Sequence, residues 1–240
     1  MPKVLMYSFV HSERPNPLGG KCYGCNYCYI HGLKGMKIRF KHIRDKYSGD
    51  FKLYRKTLLR LMSIRSDKPI FFCDCIDYMH EDNSSENIKD ILWHIKNNRY
   101  NTTFLSLTKN PIRYVEFEDD IPSNMILGVT IESNRIFENI SKAPNNIERF
   151  KALDKITNND KIEHIPRFIS IEPIMSFDHD IFYTWIEKVN PVFGIAIGYD
   201  NHYTKLDEPS LKDTLSLRKE LIFSNFRIFD KQLRKAHWEK

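Results

Sequence analysis

Three cysteines fall within seven residues, at Cys22, Cys25 and Cys28 of Asn16-Pro17-Leu18-Gly19-Gly20-Lys21-Cys22-Tyr23-Gly24-Cys25-Asn26-Tyr27-Cys28-Tyr29. Thiolates this close on one loop can hold a metal centre without help from the rest of a fold. Three is an odd number of ligands, whereas structural zinc takes four. A zinc ion here would need His31, Cys73 or Cys75 as its fourth ligand. Paired zinc knuckles also show two separated CxxC halves, and this is a single overlapping run. A [4Fe–4S] cube suits three cysteines better and leaves one iron open to a further ligand. Radical chemistry with S-adenosylmethionine (SAM) uses such an open iron, and in such sites the aromatic residue before the third cysteine, here Tyr27, lies against the adenine. These considerations favour a cluster over zinc.

The other two of the five cysteines, Cys73 and Cys75, are also close together. Clustered cysteines in a cytosolic chain read as metal-binding rather than disulfide-bonded. Alternation puts Cys73 and Cys75 on one strand face with Asp74 opposite. They are small buried residues, extra ligands or a thiol near the substrate. Tyr78, His80 and Glu81 follow and could line the same region, whereas His31 and His42 read as surface or loop histidines.

These side chains need elements to position them. Short apolar runs rich in Ile, Val and Phe recur at Lys3–Val10, Pro69–Cys73, Thr102–Leu107, Met125–Ile131, Arg167–Ile171, Val192–Ile197 and Phe226–Phe229. They read as strands buried on both faces. Amphipathic patterns lie between them at Phe51–Ile64, Glu86–Asn97, Ile147–Thr157, Ile181–Val189 and Leu211–Phe223. Ser84 or Ser85 can cap the second, and Pro209 with Ser210 starts the last. By spacing, Trp93 and Trp185 belong to the core.

Alternating strands and helices predict a parallel sheet. The strands end in polar groups: Cys73-Asp74-Cys75, Thr108-Lys109, Thr130-Ile131-Glu132, Ser170-Ile171-Glu172, Gly198-Tyr199-Asp200 and Asp230-Lys231. Chemistry spread over many strand ends is the mark of a barrel, whereas an open sheet gathers it at one switch point. The expected fold is therefore α/β, a partial or closed (β/α) barrel of about six to seven parallel strands, formed by residues 1–240 as one domain. Period-two alternation pairs Thr130 with Glu132 and Ser170 with Glu172 on common faces. Those carboxylates could bind ribose hydroxyls or the SAM ammonium, or form ion pairs with lysines such as Lys109 and Lys231.

The chain has 240 residues, with 41% hydrophobic and 28% charged, enough for a substantial core under a wet ring of helices. No apolar run reaches the ~20 residues of a membrane span. The N-terminus lacks the pattern of a secretion signal, so the expected location is the cytoplasm. The net charge of +6 comes from 37 basic and 31 acidic residues. Basic residues concentrate in Lys34–Arg65 and Arg227–Lys240, segments that could contact phosphates or be solvated faces.

The motifs together resemble the radical-SAM-like "three-Cys-motif" proteins common in phages and bacterial mobile elements. The cysteine segment from Asn16 to Tyr29 carries the first match. Phe71-Phe72-Cys73-Asp74-Cys75-Ile76-Asp77 is similar to the family's second strand, which ends in an aspartate. Leu107-Thr108-Lys109-Asn110-Pro111 resembles its Leu-Thr-Lys-x-Pro motif, and Leu127-Gly128-Val129-Thr130-Ile131-Glu132-Ser133 its Gly-Val-Ser-Val-Glu strand. Phe168-Ile169-Ser170-Ile171-Glu172-Pro173 matches Ser-x-Glu-Pro, and Phe229-Asp230-Lys231-Gln232-Leu233 the terminal Phe-Lys-Gln. The first cysteine gap is two residues here, against three in CxxxCxxC, and Gly198-Tyr199-Asp200 replaces a Gly-Gly-Glu.

The resemblance implies a radical-SAM-type barrel with a [4Fe–4S] cluster on Cys22, Cys25 and Cys28. The expected cofactor-binding residues are Tyr27, Asp77, Lys109, Thr130, Glu132, Ser170, Glu172 and Lys231. Such an enzyme would make a 5′-deoxyadenosyl radical from SAM, draw electrons from an external donor and act on a substrate the sequence does not name. The alternative is a nucleic-acid-binding module of a phage or mobile element, stabilised by zinc or an inert cluster.

Overall fold

A computed structural model describes residues 7–32, 35–202 and 204–240. In chain order its elements are β1 (Leu18–Gly19), α1 (Met36–Arg39), α2 (Lys41–Lys46), β2 (Lys52–Leu53), α3 (Arg55–Ser63), β3 (Ile70–Phe71), α4 (Ser85–Lys96), β4 (Phe104–Thr108) and α5 (Ile112–Glu116). They continue as β5 (Met125–Thr130), α6 (Asn146–Thr157), β6 (Arg167–Ile171), α7 (His179–Val189), β7 (Gly194–Ile197), α8 (Leu211–Phe223) and β8 (Ile228–Asp230).

Among the described residues, β3 to β8 form one parallel sheet in sequential order. Each strand joins the next through a helix, as parallel neighbours require. With six strands in sequential order, the sheet is the predicted partial (β/α) barrel. β1 and β2 form a separate antiparallel pair that frames the cysteine segment. Of the predicted first strand, Lys3–Met6 lie outside the described residues, and Tyr7–Val10 are not strand. The sequence also missed the short α1, α2 and α5, which lack enough turns to show a helical period.

The strands alternate between two apolar layers. Phe104, Leu127, Ile169, Ile195 and Ile197 face the helices. Leu105, Ile126, Phe168 and Ala196 face the hollow of the sheet, where Tyr7, Phe9 and Val10 pack on them. Burial on both faces is what made the strands read as continuous apolar runs.

Helix α4 buries Ile88, Ile91, Leu92 and Ile95, an i, i+3, i+4, i+7 stripe. Ser84 caps it, accepting from the Asn87 N–H at 3.2 Å, a bond worth about 1 kcal/mol. Trp93 departs from the expectation: it lies off that stripe and is 54% exposed. Trp185 is partly buried and stacks on Phe150 at 4.3 Å. Asn145 and Glu148 form a capping box at the start of α6, and Ser210 caps α8.

Candidate active site

The C-terminal ends of the strands open into a cavity of about 250 Å³, room for a ligand rather than a few waters. The cysteine segment forms one wall, through Cys22, Cys25, Tyr27 and Cys28. The strand ends form the others, through Asp77, Lys109, Thr130, Ser170, Glu172 and Lys231. Of the expected cofactor-binding and metal residues, only Glu132 does not line it.

Each cysteine sulfur has a hydrogen-bond partner. Cys22 Sγ accepts from the Asp77 N–H at 3.5 Å. Cys28 Sγ accepts from Ile30 and His31 N–H groups at 3.4 and 3.3 Å. Cys25 Sγ lies 3.0 Å from Ser141 Oγ. Burial, with Asp77 adding, pushes the Cys22 thiol up, and burial raises Cys28 against its two backbone donors. Sulfurs ionised here need a nearby positive charge, which a metal group supplies. Among the described residues, no three His, Cys, Asp or Glu side chains converge on a single ion-sized point.

Glu132 is the hub that holds this wall. Its carboxylate is buried and takes the Tyr27 hydroxyl, the Lys109 ammonium and, at 2.7 Å, Arg149 Nη1. Burial would push its pKa up, but Arg149 and Lys109 outweigh that and hold it at about 2. Arg149 also donates to the Thr130 and Pro144 carbonyls at 3.0 and 2.6 Å. The carboxylate thus ties β5, α6 and the end of β4 to the ring beside Cys28. Sequence reasoning missed Arg149. The signal was present: Arg149 shares the core stripe of α6 with Ala152, Leu153 and Ile156, and buried arginines have partners.

Glu172 is held differently. Lys231 Nζ stands 3.6 Å from its carboxylate and 4.5 Å over the Tyr7 ring. Burial raises the Glu172 carboxyl and lowers the Lys231 ammonium, each outweighing the pair's mutual attraction. Both charges are therefore poorly compensated and face the cavity. Gly198 makes room for them, since a Cβ there would meet Lys231 Cβ at 2.6 Å. Ser170 lies in register with Thr130 and bonds the Tyr7 hydroxyl at 2.9 Å.

Asp77 is saturated, accepting from Thr108 Oγ1 and Lys109 N at 2.7 Å each and Met79 N at 3.1 Å. It clamps the loop after β3 to the end of β4. Its carboxyl is raised by burial against those donors.

The Cys73–Cys75 segment breaks the predicted alternation. β3 ends at Phe71, Cys73 turns at φ 52° and Cys73, Asp74 and Cys75 all line the cavity. Asp74 is held by Arg14 at 2.7 Å and Asn16 at 2.6 Å. Cys75 Sγ lies 3.4 Å from the Tyr29 hydroxyl, and burial, then Asp74, pushes its thiol up to about 12. It stands in the cavity as a protonated thiol. If Cys22, Cys25 and Cys28 hold an iron–sulfur cluster, serine at both positions is expected to leave iron and sulfide content unchanged, because three ligands in one loop suffice. Loss of iron in that variant would give these cysteines a ligand role.

Tyr78, His80 and Glu81 do not line the cavity. Tyr78 is core and bonds Ser106 at 3.0 Å. His80 stacks on Tyr23, and Glu81 takes the Tyr23 hydroxyl at 2.7 Å. They back the cysteine segment from behind. Tyr199 is buried with its hydroxyl 2.7 Å from Thr214 Oγ1.

A family model described as a protein of unknown function, DUF5131, matches residues 16–189. The chain belongs to the DUF5131 family. No curated protein matches the sequence. The fold is similar to that of spore photoproduct lyase. One solved variant of that lyase, with bound AdoMet and dinucleoside spore photoproduct, superposes with a TM-score of 0.55 at 11% identity, over 94% of this chain and 66% of that one. A second variant gives a TM-score of 0.52 at 12% identity, over 81% and 58%. The DUF5131 chain thus spans about two thirds or less of the lyase's length. No helix among the described residues is long and apolar enough to cross a membrane.

Proposed function

We propose that this DUF5131 protein is a radical-SAM iron–sulfur enzyme, with a [4Fe–4S] cluster on Cys22, Cys25 and Cys28 and SAM in the adjoining cavity. The observation that carries this reading is that the three sulfurs share one cavity with Glu172 and Lys231. AdoMet bound to a lyase of the same fold supports it. When bound and reduced by an external electron donor, the cluster and SAM supply a 5′-deoxyadenosyl radical. The chain's own residues bind and orient. Tyr27 offers a ring face to adenine, and Thr130 and Ser170 offer hydroxyls along neighbouring strands. Glu172 and Lys231 present opposite charges to the ammonium and carboxylate of an amino acid, which would complete their poor compensation. Asp77, Lys109 and Glu132 keep the walls in place.

Anaerobic purification with iron and sulfide analysis, followed by assay for 5′-deoxyadenosine, tests the reading. Stoichiometric zinc without sulfide would overturn it and favour a zinc-stabilised binding module. Glu172→Gln is expected to weaken SAM binding about tenfold, the effect of losing ~1.4 kcal/mol, with iron content unchanged. Unaltered affinity removes Glu172 from the pocket.

We infer that the substrate is a nucleic acid. The dinucleoside bound to the similar lyase supports this. So do the exposed Arg39, Lys41, Arg44, Lys52, Arg55 and Lys56 on and around α1, α2 and α3; Lys34 lies outside the described residues. In the second basic segment Arg234 is engaged by the fold, pairing with Glu208 at 2.6 Å and donating to the Asp200 carbonyl, while Arg227, Lys235 and Lys240 are exposed. Binding to single- or double-stranded nucleic acid should weaken steeply between low and physiological salt, and further with Arg44 and Lys56 changed to alanine. No binding at low salt would make these residues a solvated face.

A further inference from the structure

We infer that Ser141 sets the reduction potential of the cluster at Cys22, Cys25 and Cys28 by donating a hydrogen bond to the Cys25 sulfur. The inference rests on the reading that these cysteines hold an iron–sulfur cluster.

The two atoms lie 3.0 Å apart. The direction of the bond follows from the other contact of Ser141. Its Oγ accepts the Ala143 N–H at 3.1 Å, so a lone pair is engaged and the hydroxyl proton is left to point elsewhere. A metal-bound thiolate only accepts hydrogen bonds. Ser141 is therefore the donor and Cys25 the acceptor.

The contact is built rather than incidental. The segment carrying Ser141, between β5 and α6, is strapped to the cysteine segment on both sides. Asn26 N donates to the Ile140 carbonyl at 2.9 Å, and Lys142 N to the Tyr23 carbonyl at 3.1 Å. Asn26 Nδ2 adds a bond to the Asn139 carbonyl at 2.9 Å. Ser141 thus sits between two anchored neighbours, opposite Cys25, which sits between Tyr23 and Asn26. Cys25 is only 6% exposed, so the hydroxyl acts where water screens little.

The three sulfurs differ in who supplies their donors. Cys22 and Cys28 accept from backbone N–H groups, which any sequence provides. Among the described residues, Cys25 is the one whose donor is a side chain, so here the sequence decides the local field. One-electron reduction, with the electron from the external donor, adds negative charge to the cluster and its sulfurs and neither makes nor breaks a bond. A donor at a ligand sulfur stabilises that added charge more than the oxidised state and raises the potential.

The test is a redox titration of the anaerobically reconstituted full chain with dithionite, followed by EPR and visible absorbance. Ser141→Ala should hold as much iron and sulfide as wild type with a more negative midpoint. Ser141→Thr, which keeps the hydroxyl, should match wild type. Ser141→Cys, a weaker donor, should fall between and serves as the decisive variant should the alanine protein fail to hold iron. Full iron with an unchanged midpoint in the alanine or cysteine variant overturns the role of Ser141 and leaves the functional reading intact. A wild-type protein without iron and sulfide overturns both.

Discussion

On the proposed [4Fe–4S] reading, serine in place of Cys22, Cys25 or Cys28 is expected to take bound iron and sulfide from about four of each per chain to near zero. A serine hydroxyl is a far weaker ligand for iron than a thiolate. The nearby thiols do not substitute. Cys75 is engaged by Tyr29 and Asp74, and Cys73 is fixed in a turn at φ 52°. His31 is held near Tyr47, and burial lowers its pKa to about 4. Each change is nearly isosteric, and the cysteine segment keeps its straps to residues 139–142, so circular dichroism should remain that of the wild type. Iron and sulfide assays on anaerobic protein, with absorbance near 400 nm, give the readout. Retention of full iron by all three single variants would show that the metal is held elsewhere.

Much of this architecture was legible because it depends on local pattern. The run Arg167–Ile171 coincides with β6 and Leu211–Phe223 with α8, since a buried strand and a regular amphipathic helix each carry their whole signal within a few residues. The cysteine spacing and the polar strand ends were legible for the same reason. Partners distant in sequence were not. Lys109 and Lys231 could be named as partners for the glutamates, but only the fold assigns Lys109 to Glu132 and Lys231 to Glu172. The difference between them came from the fold: Glu132 gained Arg149 and Tyr27 and withdrew behind the wall, while Glu172 kept one cation 3.6 Å away and stayed in the cavity. Ser141 lies 116 residues from Cys25 in sequence, and no period or spacing connects them. Trp93 failed for another reason: it lies off the face of α4 that buries Ile88, Ile91, Leu92 and Ile95, so its hydrophobicity did not place it in the core.

Arg149→Ala should be the most destabilising single change at this site. It leaves a buried carboxylate with Lys109 as its remaining cation, and breaking a buried pair from one side costs about 3–5 kcal/mol. The pH profile identifies the cause. In the wild type Glu132 is held at about 2 against an ordinary 4.5. The folded state therefore binds that proton less readily than the unfolded state does. Its contribution, on the order of 3 kcal/mol, is fully present above about pH 4.5 and is lost as pH falls through about 2. Without Arg149, burial regains weight, the carboxyl titrates at higher pH and acid sensitivity begins nearer neutrality. Urea unfolding from pH 3 to 7 measures both effects, with pH values kept above about 2 so that the folded wild type stays populated. Glu132→Gln should abolish most of the difference between the arginine and alanine backgrounds, because the neutral amide no longer needs the cation. Equal stability and parallel pH profiles for wild type and Arg149→Ala would mean that the Tyr27 wall stands without this carboxylate, and its placement beside Cys28 would then have to come from the straps to residues 139–142 alone.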